Sequence, residues 1–372
     1  MRALLLSLLL TACTGSEAVA RADTLPDADA RRRAASPVRL VATSGPDASF
    51  MVASRLDVDS RGRIYVGDTY QQRVTVLQAD GRVLRVFGRR GSGPHEFRSI
   101  GGIQVLPGDS VLVYDPELGR VSVFAPDSGL AAYHVNLGDR LNVSMPRELR
   151  RTRANDAMLG HFRTGFYFGN GQDFNDRKDK LRVLDLDGSI RTELLTFPSR
   201  SYLVAQTSIT PHPFGYQGFA RLDSQGRVHV VWSDTLGVRT YALDGTSIGG
   251  FRIGYEAPAL TREDLAQAVD DFDAMRSRFE PVLSDSAPSR WPVVREFLID
   301  DKDRLWFEMG SSQRDGIEWA ALSTDGAYLG SVLVPAGSSL RLIRADGTLY
   351  AERLDENDVS HGVVYRMVRP LR

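Results

Sequence analysis

Among 372 residues there is a single cysteine, Cys13, so no disulfide within the chain can support the fold. Charge of one sign is lacking too: 46 Lys and Arg stand against 47 Asp and Glu, a net of −1. Without a basic excess there is little to neutralise phosphates, which excludes nucleic acid as an expected partner. Beyond residue 10 no long apolar run occurs, whereas a spanning helix needs roughly 20 such residues. What the sequence does have is glycine, 34 residues of it, with short apolar stretches broken by Asp-Gly turns. A chain of this length buries a large core without staples. The composition suits many short strands better than a helical bundle.

The first residues read as an export signal. Arg2 supplies the positive charge, and Ala3 to Leu10 (ALLLSLLL) form an apolar run too short to span a bilayer. Leu10-Thr11-Ala12-Cys13 then resembles the bacterial lipobox, in which cleavage before the cysteine leaves it to carry lipid. The competing reading is an ordinary secretory signal cut after Ala18-Val19-Ala20. A sole cysteine placed directly after a short apolar run has no disulfide to make and favours lipidation at Cys13. By the same resemblance, Thr14 after the cysteine directs the protein to the outer membrane. The expected organisation is a signal over 1–12, a flexible tether over 13–37 and a folded domain over 38–372. Arg31-Arg32-Arg33 in the tether read as solvated charge.

The informative comparison is internal. Asp59-Ser60-Arg61-Gly62-Arg63-Ile64-Tyr65-Val66 matches Asp223-Ser224-Gln225-Gly226-Arg227-Val228-His229-Val230 nearly residue for residue. Asp301 to Phe307 and Ala345 to Ala351 are looser copies. Each is a polar turn leading into alternating apolar residues, the pattern of a hairpin entering a strand. Asp68 stands five residues before Arg73, Asp115 five before Arg120, and Asp234 five before Arg239. Each Arg opens a further alternating run that ends in an Asp-Gly-type turn. One unit therefore reads as a four-stranded meander.

Gly62 to Gln104 resembles an NHL repeat. Gly62, Ile64, Tyr65, Val66, Asp68, Arg73, Val74, Phe87, Gly88, Gly91, Gly93, Glu96 and Phe97 fall on its pattern, while Gln71 replaces its usual Asn. The match is strong over the first two units, fair in the fourth and weak elsewhere. The resemblance implies an all-β, six-bladed β-propeller of four-stranded antiparallel blades. It also implies that Asp68 and Arg73 bridge adjacent strands structurally. The same role is expected for Asp115 with Arg120 and Asp234 with Arg239, since a recurring pair is more economically a fold device than three sites. First turns fall near Gly62, Asp109, Asp156, Gly226, Asp303 and Gly347. The last unit shows three strands, so Val38 to Thr43 is expected to supply its fourth and close the ring.

Three stretches are too long for simple connections: Arg163 to Asp179, Pro198 to Tyr216, and the segment between blades 4 and 5. In the last, Thr261 caps one inserted helix with Leu265, Val269, Phe272, Met275 and Phe279 on its apolar stripe. In a meander the loops joining strand 2 to 3 and those joining successive units emerge at one rim, so all three decorate one face, where function usually lives. Chemistry is harder to find. The six histidines show no metal-ligand spacing, no nucleophile elbow occurs, and Asp173, Asn175, Asp176 and Asp179 lack the pattern of a calcium loop. No catalytic residue, metal or cofactor is expected. Arg55, Arg221, Arg295 and Arg341 on the inner strands do not align on one strand face, so a basic tunnel has little support. The function expected is non-catalytic binding of an envelope protein, peptide or glycan, with the membrane met through the lipid anchor alone. The alternative is a propeller hydrolase or lyase acting on a small exported substrate. Arg163, Tyr167, His212 and Tyr216 are the candidate ligand-binding residues, lining a groove between the two long loops.

Overall fold

The computed structural model describes residues 20–21, 25–43, 49–50, 55–127, 131–137, 145–154, 156–163, 176–205, 208–312, 314–354 and 360–371. Cys13 and Tyr167 lie outside them. Four antiparallel meanders follow one another in the chain. Sheet 1 runs Arg55–Val58, Ile64–Asp68, Arg73–Leu77, Val83–Phe87, and sheet 2 runs Gly102–Val105, Val111–Asp115, Arg120–Phe124, Ala131–Asn136. Sheet 3 comprises Glu148–Arg151, Met158–Phe162, Lys178–Leu184, Ile190–Pro198, and sheet 4 comprises Gly218–Leu222, Val228–Trp232, Leu236–Tyr241, Ser247–Ile253. A larger sheet has two limbs. One is the meander from Val294–Ile299 to Tyr328–Val334; the other contains Ser338–Ile343, Thr348–Leu354 and Ser360–Met367. The strand Ser36–Thr43 completes the second limb, pairing antiparallel with Ser360–Met367, and touches the first through a parallel bridge at Ser36 and Pro37. All the first turns read from the sequence lie between the first and second strands of these units.

Alternation along each strand builds the ring, because successive side chains leave a strand on opposite faces. Ile64 and Val66 pack against Tyr350 and Val364 of the second limb, whereas Tyr65 between them packs against Val111 and Val113 of sheet 2. Sheets 2 and 3 share a core through Tyr114 and Leu149, and sheets 3 and 4 share one through Val183 and Val228. Sheet 4 meets the first limb through Val231 and Phe297, and the two limbs meet through Trp306 and Tyr365. Middle strands are thus buried on both faces, while the outer strand Val83–Phe87 is largely exposed. The first strands gather around one axis, and the arrangement is a β-propeller.

The turns at one face are stapled by a repeated device. Asp59 Oδ1 accepts the backbone N–H of Arg61 and Arg63, while its Oδ2 receives Arg63 Nε at 2.6 Å and Tyr65 Oη at 3.3 Å. Asp223 repeats this with Arg227 and His229, and Asp300 with Arg304 and Trp306. The third copy therefore starts at Asp300, one residue before the match read from the sequence. Neighbouring turns are also tied: Ser60 Oγ donates to Asp109 at 2.6 Å and Ser224 Oγ to Asp303 at 2.6 Å.

Three expectations change. The insertion before the large sheet holds two helices, α2 (Arg262–Asp270) and α3 (Arg276–Ser286), separated by a 3₁₀ turn at Asp273–Met275. Asp273 there has a φ of 46°, which a continuous helix does not allow. Thr261 caps α2 in a box with Asp264, and Val269 and Phe279 are buried, but Met275 faces solvent. The Pro198–Tyr216 connection contains a hairpin, Tyr202–Ala205 with Ser208–Pro211. Within the stretch read as tether, Ala28–Ala34 form helix α1, capped by Asp27, and the whole Arg31 side chain is buried.

Candidate functional site

The axis is lined by charge. Arg55, Glu148, Arg150, Arg221, Glu296 and Arg341, from first strands around the ring, border one narrow cavity. Arg221 Nη2 donates to Glu296 at 2.9 Å, and Glu148 lies 3.7 Å from Arg55 and 3.9 Å from Arg221. Burial pushes the Glu148 carboxyl up, but Arg221 and Arg55 outweigh it and hold it at about 2. Three of the four inner arginines that failed to align on the sequence, Arg55, Arg221 and Arg341, thus converge in space, whereas Arg295 points to a second cavity. Register shifts such as those at Val294/Glu296 and Leu340/Leu342 spoil the alignment counted from the turns.

Above this ring, the connection between sheets 3 and 4 meets the segment leading into the first limb. Arg200, Ser201, His212, Tyr216, Gln217 and Arg295 line a cavity of about 210 Å³. Gln217 is its brace. Its Oε1 accepts from Arg200 Nη2 at 2.9 Å, and its Nε2 donates to the Arg295 carbonyl at 3.0 Å. Arg200 Nε is buried with no hydrogen-bond partner, and burial together with the nearby Arg163 guanidinium lowers the Arg200 pKa. The Arg295 guanidinium lies 5.3 Å over the Trp291 ring, and its Nε is 3.8 Å from Glu308. Burial pushes the Glu308 carboxyl up to about 7, with Arg295 opposing and Glu296 adding to the rise. His212 Nδ1 accepts the Phe214 N–H at 3.1 Å, and burial holds the ring below the usual histidine range. Tyr216 stays 36% exposed beside Trp232, leaving aromatic surface to a ligand.

Of the ligand-binding candidates, His212 and Tyr216 share this cavity. Arg163 does not line it; its Nε sits 3.4 Å from Asp179, whose Oδ2 also meets His161 Nε2 at 2.7 Å. Sequence reasoning missed Arg200, Gln217 and Arg295 as one site; Gln217 and Arg295 were signalled only as polar residues at the start of inner strands, and Arg200 in the connection not at all. The repeat pairs differ among themselves. Asp68 faces Arg73, and Asp115 faces Arg120, as cross-strand partners. Among the described contacts neither Arg donates to its Asp. Asp68 Oδ1 accepts the Tyr70 and Gln71 N–H groups, and Asp115 does the same for Glu117 and Leu118. Arg120 reaches instead to the carbonyls of Ser92, Gly93 and Glu96, clamping the loop between sheets 1 and 2. Asp234 and Arg239 are both exposed, and Arg239 stands opposite Val230, so the third pair is not a bridge. In the clamped loop Gly88 has a φ of +83°, and a Cβ there would stand 2.3 Å from the Phe97 ring.

Among the described residues no group of three or more His, Cys, Asp or Glu is placed to hold a metal ion, and no helix is long and apolar enough to cross a membrane. No protein-family model matches the sequence, and no curated protein matches it. Solved structures do. The chain is similar to a putative exported protein from Bacteroides fragilis NCTC 9343, with a TM-score of 0.53 at 10% identity over 89% of this chain and 95% of that one. It is also similar to a member of the DUF4221 family from Bacteroides vulgatus ATCC 8482, with a TM-score of 0.51 at 10% identity over 88% and 98%. At such identity the likeness concerns the fold alone.

Proposed function

We propose that the protein is an exported, lipid-anchored propeller of six NHL-type blades that binds an envelope peptide or glycan bearing an acidic group, without chemistry of its own. The blade count is supported by the two limbs of the large sheet, each of which packs on its neighbours as the separate sheets do. Anchoring is supported by the lipobox-like run ending at Cys13. The observation that carries the binding reading is the rim cavity, where the Gln217 carboxamide holds the Arg200 guanidinium and the Arg295 main chain beside the exposed Tyr216. The held Arg200 guanidinium, with the Arg295 guanidinium stacked over Trp291 close by, suits a carboxylate on a ring or chain.

The test is titration calorimetry with paired probes: glucuronate-containing against glucose-only oligosaccharides, and peptides with a free against an amidated C-terminus. The acidic member of one pair binds, and Arg200→Ala with Arg295→Ala weakens it at least tenfold at unchanged melting temperature. Equal binding of acidic and neutral probes, or full affinity in the double variant, refutes the reading. For the anchor, Cys13→Ser should accumulate unprocessed or leave the membrane fraction; normal processing and membrane recovery refute lipidation. One observation favours a hydrolase or lyase instead: Glu308, a buried carboxyl poised near neutrality beside the cavity, as proton-transfer groups are. Turnover of a bound probe that Glu308→Gln abolishes would establish that alternative.

A further inference from the structure

The arm that precedes the ring is fastened to it over most of its described length. Arg31 Nε donates to Glu318 Oε1 at 2.8 Å and Nη2 to Oε2 at 3.3 Å. Its Nη1 donates to the Pro26 carbonyl at 2.6 Å, Nη2 reaches Tyr255 Oη, and the guanidinium lies 4.8 Å over the Tyr255 ring. Arg32 donates to the carbonyls of Asp315 and Gly316, and Leu25 packs on the core shared by sheet 4 and the first limb. Further back, Ala20 and Arg21 pair in parallel with Phe251 and Arg252 on the outermost strand of sheet 4.

Docking changes how far the ring can stand from Cys13 and which side it shows. If the arm were free, the 25 residues from Cys13 to Val38 would reach about 85 Å, enough to present any face. From Cys13 to Ala20, the seven residues before the arm meets sheet 4, the reach is at most about 25 Å. We infer that the docked arm holds the outer edge of sheet 4 toward the lipid bilayer, laying the propeller axis along the membrane plane with both channel mouths open. The inference rests on the lipid-anchored reading. It makes the bilayer a partner of one defined edge.

Orientation is tested separately from lipidation. The chain from residue 13 onward is coupled through Cys13, its one thiol, to maleimide-headgroup lipid in phosphatidylcholine vesicles that carry an energy acceptor. A fluorescent non-natural residue replaces Ile248 on the outer strand of sheet 4 or Leu84 on the outer strand of sheet 1, both exposed. Energy transfer should be several-fold stronger from position 248 than from position 84. Arg31→Glu, which sets a carboxylate against Glu318, should erase that difference. Because this variant could also disturb the ring, a second one inserts twenty Gly/Ser residues after Gly15, which leaves the docking contacts intact but should shrink the difference. Equal transfer from both positions in the wild-type chain overturns the inference. Release of the Cys13→Ser protein in cells bears only on the anchor, since the vesicles supply the lipid themselves.

Discussion

Replacing Arg31 by methionine isolates the fastening of the arm. The side chains of Arg31 and Glu318 are 0% and 3% exposed, so the substitution removes two charge-assisted bonds and strands a carboxylate away from water. Among its described partners, Ser331 Oγ, 2.9 Å from Oε1, would remain to it. Breaking a buried pair from one side costs about 3–5 kcal/mol, because the surviving charge is uncompensated. Undocking of the arm, which lets water reach Glu318, sets the upper limit of the measured loss. The double variant Arg31→Met, Glu318→Leu removes both charges and should recover most of that loss, since such pairs are often replaced by apolar residues at little cost. Tyr328 Oη, 2.8 Å away, keeps Ser331 Oγ partnered. Urea unfolding followed by the fluorescence of buried Trp306 and Trp319 gives the magnitudes, and trypsin cleavage after the exposed Arg33 reports arm release. A single variant within 1 kcal/mol of wild type, cleaved no faster at Arg33, would refute the claim that this pair holds the arm.

Two predictions concern pH. Burial pushes the Asp223 carboxyl up, but bonds from His229 and from Arg227 outweigh it and hold it at about 2, below its unfolded value of 3.8. Its stabilisation is therefore present above pH 4 and lost as the pH falls toward 2. The deficit of Asp223→Asn relative to wild type should shrink by about 2 kcal/mol over that window, and a constant deficit in acid unfolding series counts against the staple. Glu308 has the opposite sign: its folded pKa, about 7, lies above the unfolded 4.5, so ionisation costs stability as pH rises between the two. Glu308→Gln should gain up to about 3 kcal/mol on wild type from pH 4.5 to 7, and a flat difference would mean that the carboxyl is well solvated or well paired.

The strands were legible because turns recur: Gly62, Asp109, Gly226 and Gly347 stand at the same place in each unit, and alternation carries residues such as Ile64 and Tyr65 into opposite cores. The closing strand was legible by elimination, as Val38 to Thr43 had no other partner. The arm was not legible. An Ala, Asp and Arg stretch reads as solvated, and nothing local announces that Arg31 meets Glu318, 287 residues away. The rim cavity was half visible through His212 and Tyr216, but Arg200 reaches it from the connection after sheet 3 and Arg295 from the first limb. The Asp-x4-Arg spacing was real as a hairpin register at Asp68 and Asp115, but spacing does not say where the side-chain bonds go. The carboxylates cap their own turns, and Arg120 turns outward to a neighbouring loop.

The strand Ser36–Thr43 completes its sheet only by pairing with residues 363–367, so Thr43 waits for a partner 320 positions later in the chain. On the exported reading proposed above, a chain delivered N-terminus first through a translocation pore presents an unpaired strand edge until nearly all of it has crossed. Delivery would then time ring closure. A product cut short before Ser360 would carry an open seam between sheet 1 and the second limb, with Ile64, Val66 and Tyr350 bordering it, the kind of surface that envelope proteases and chaperones bind.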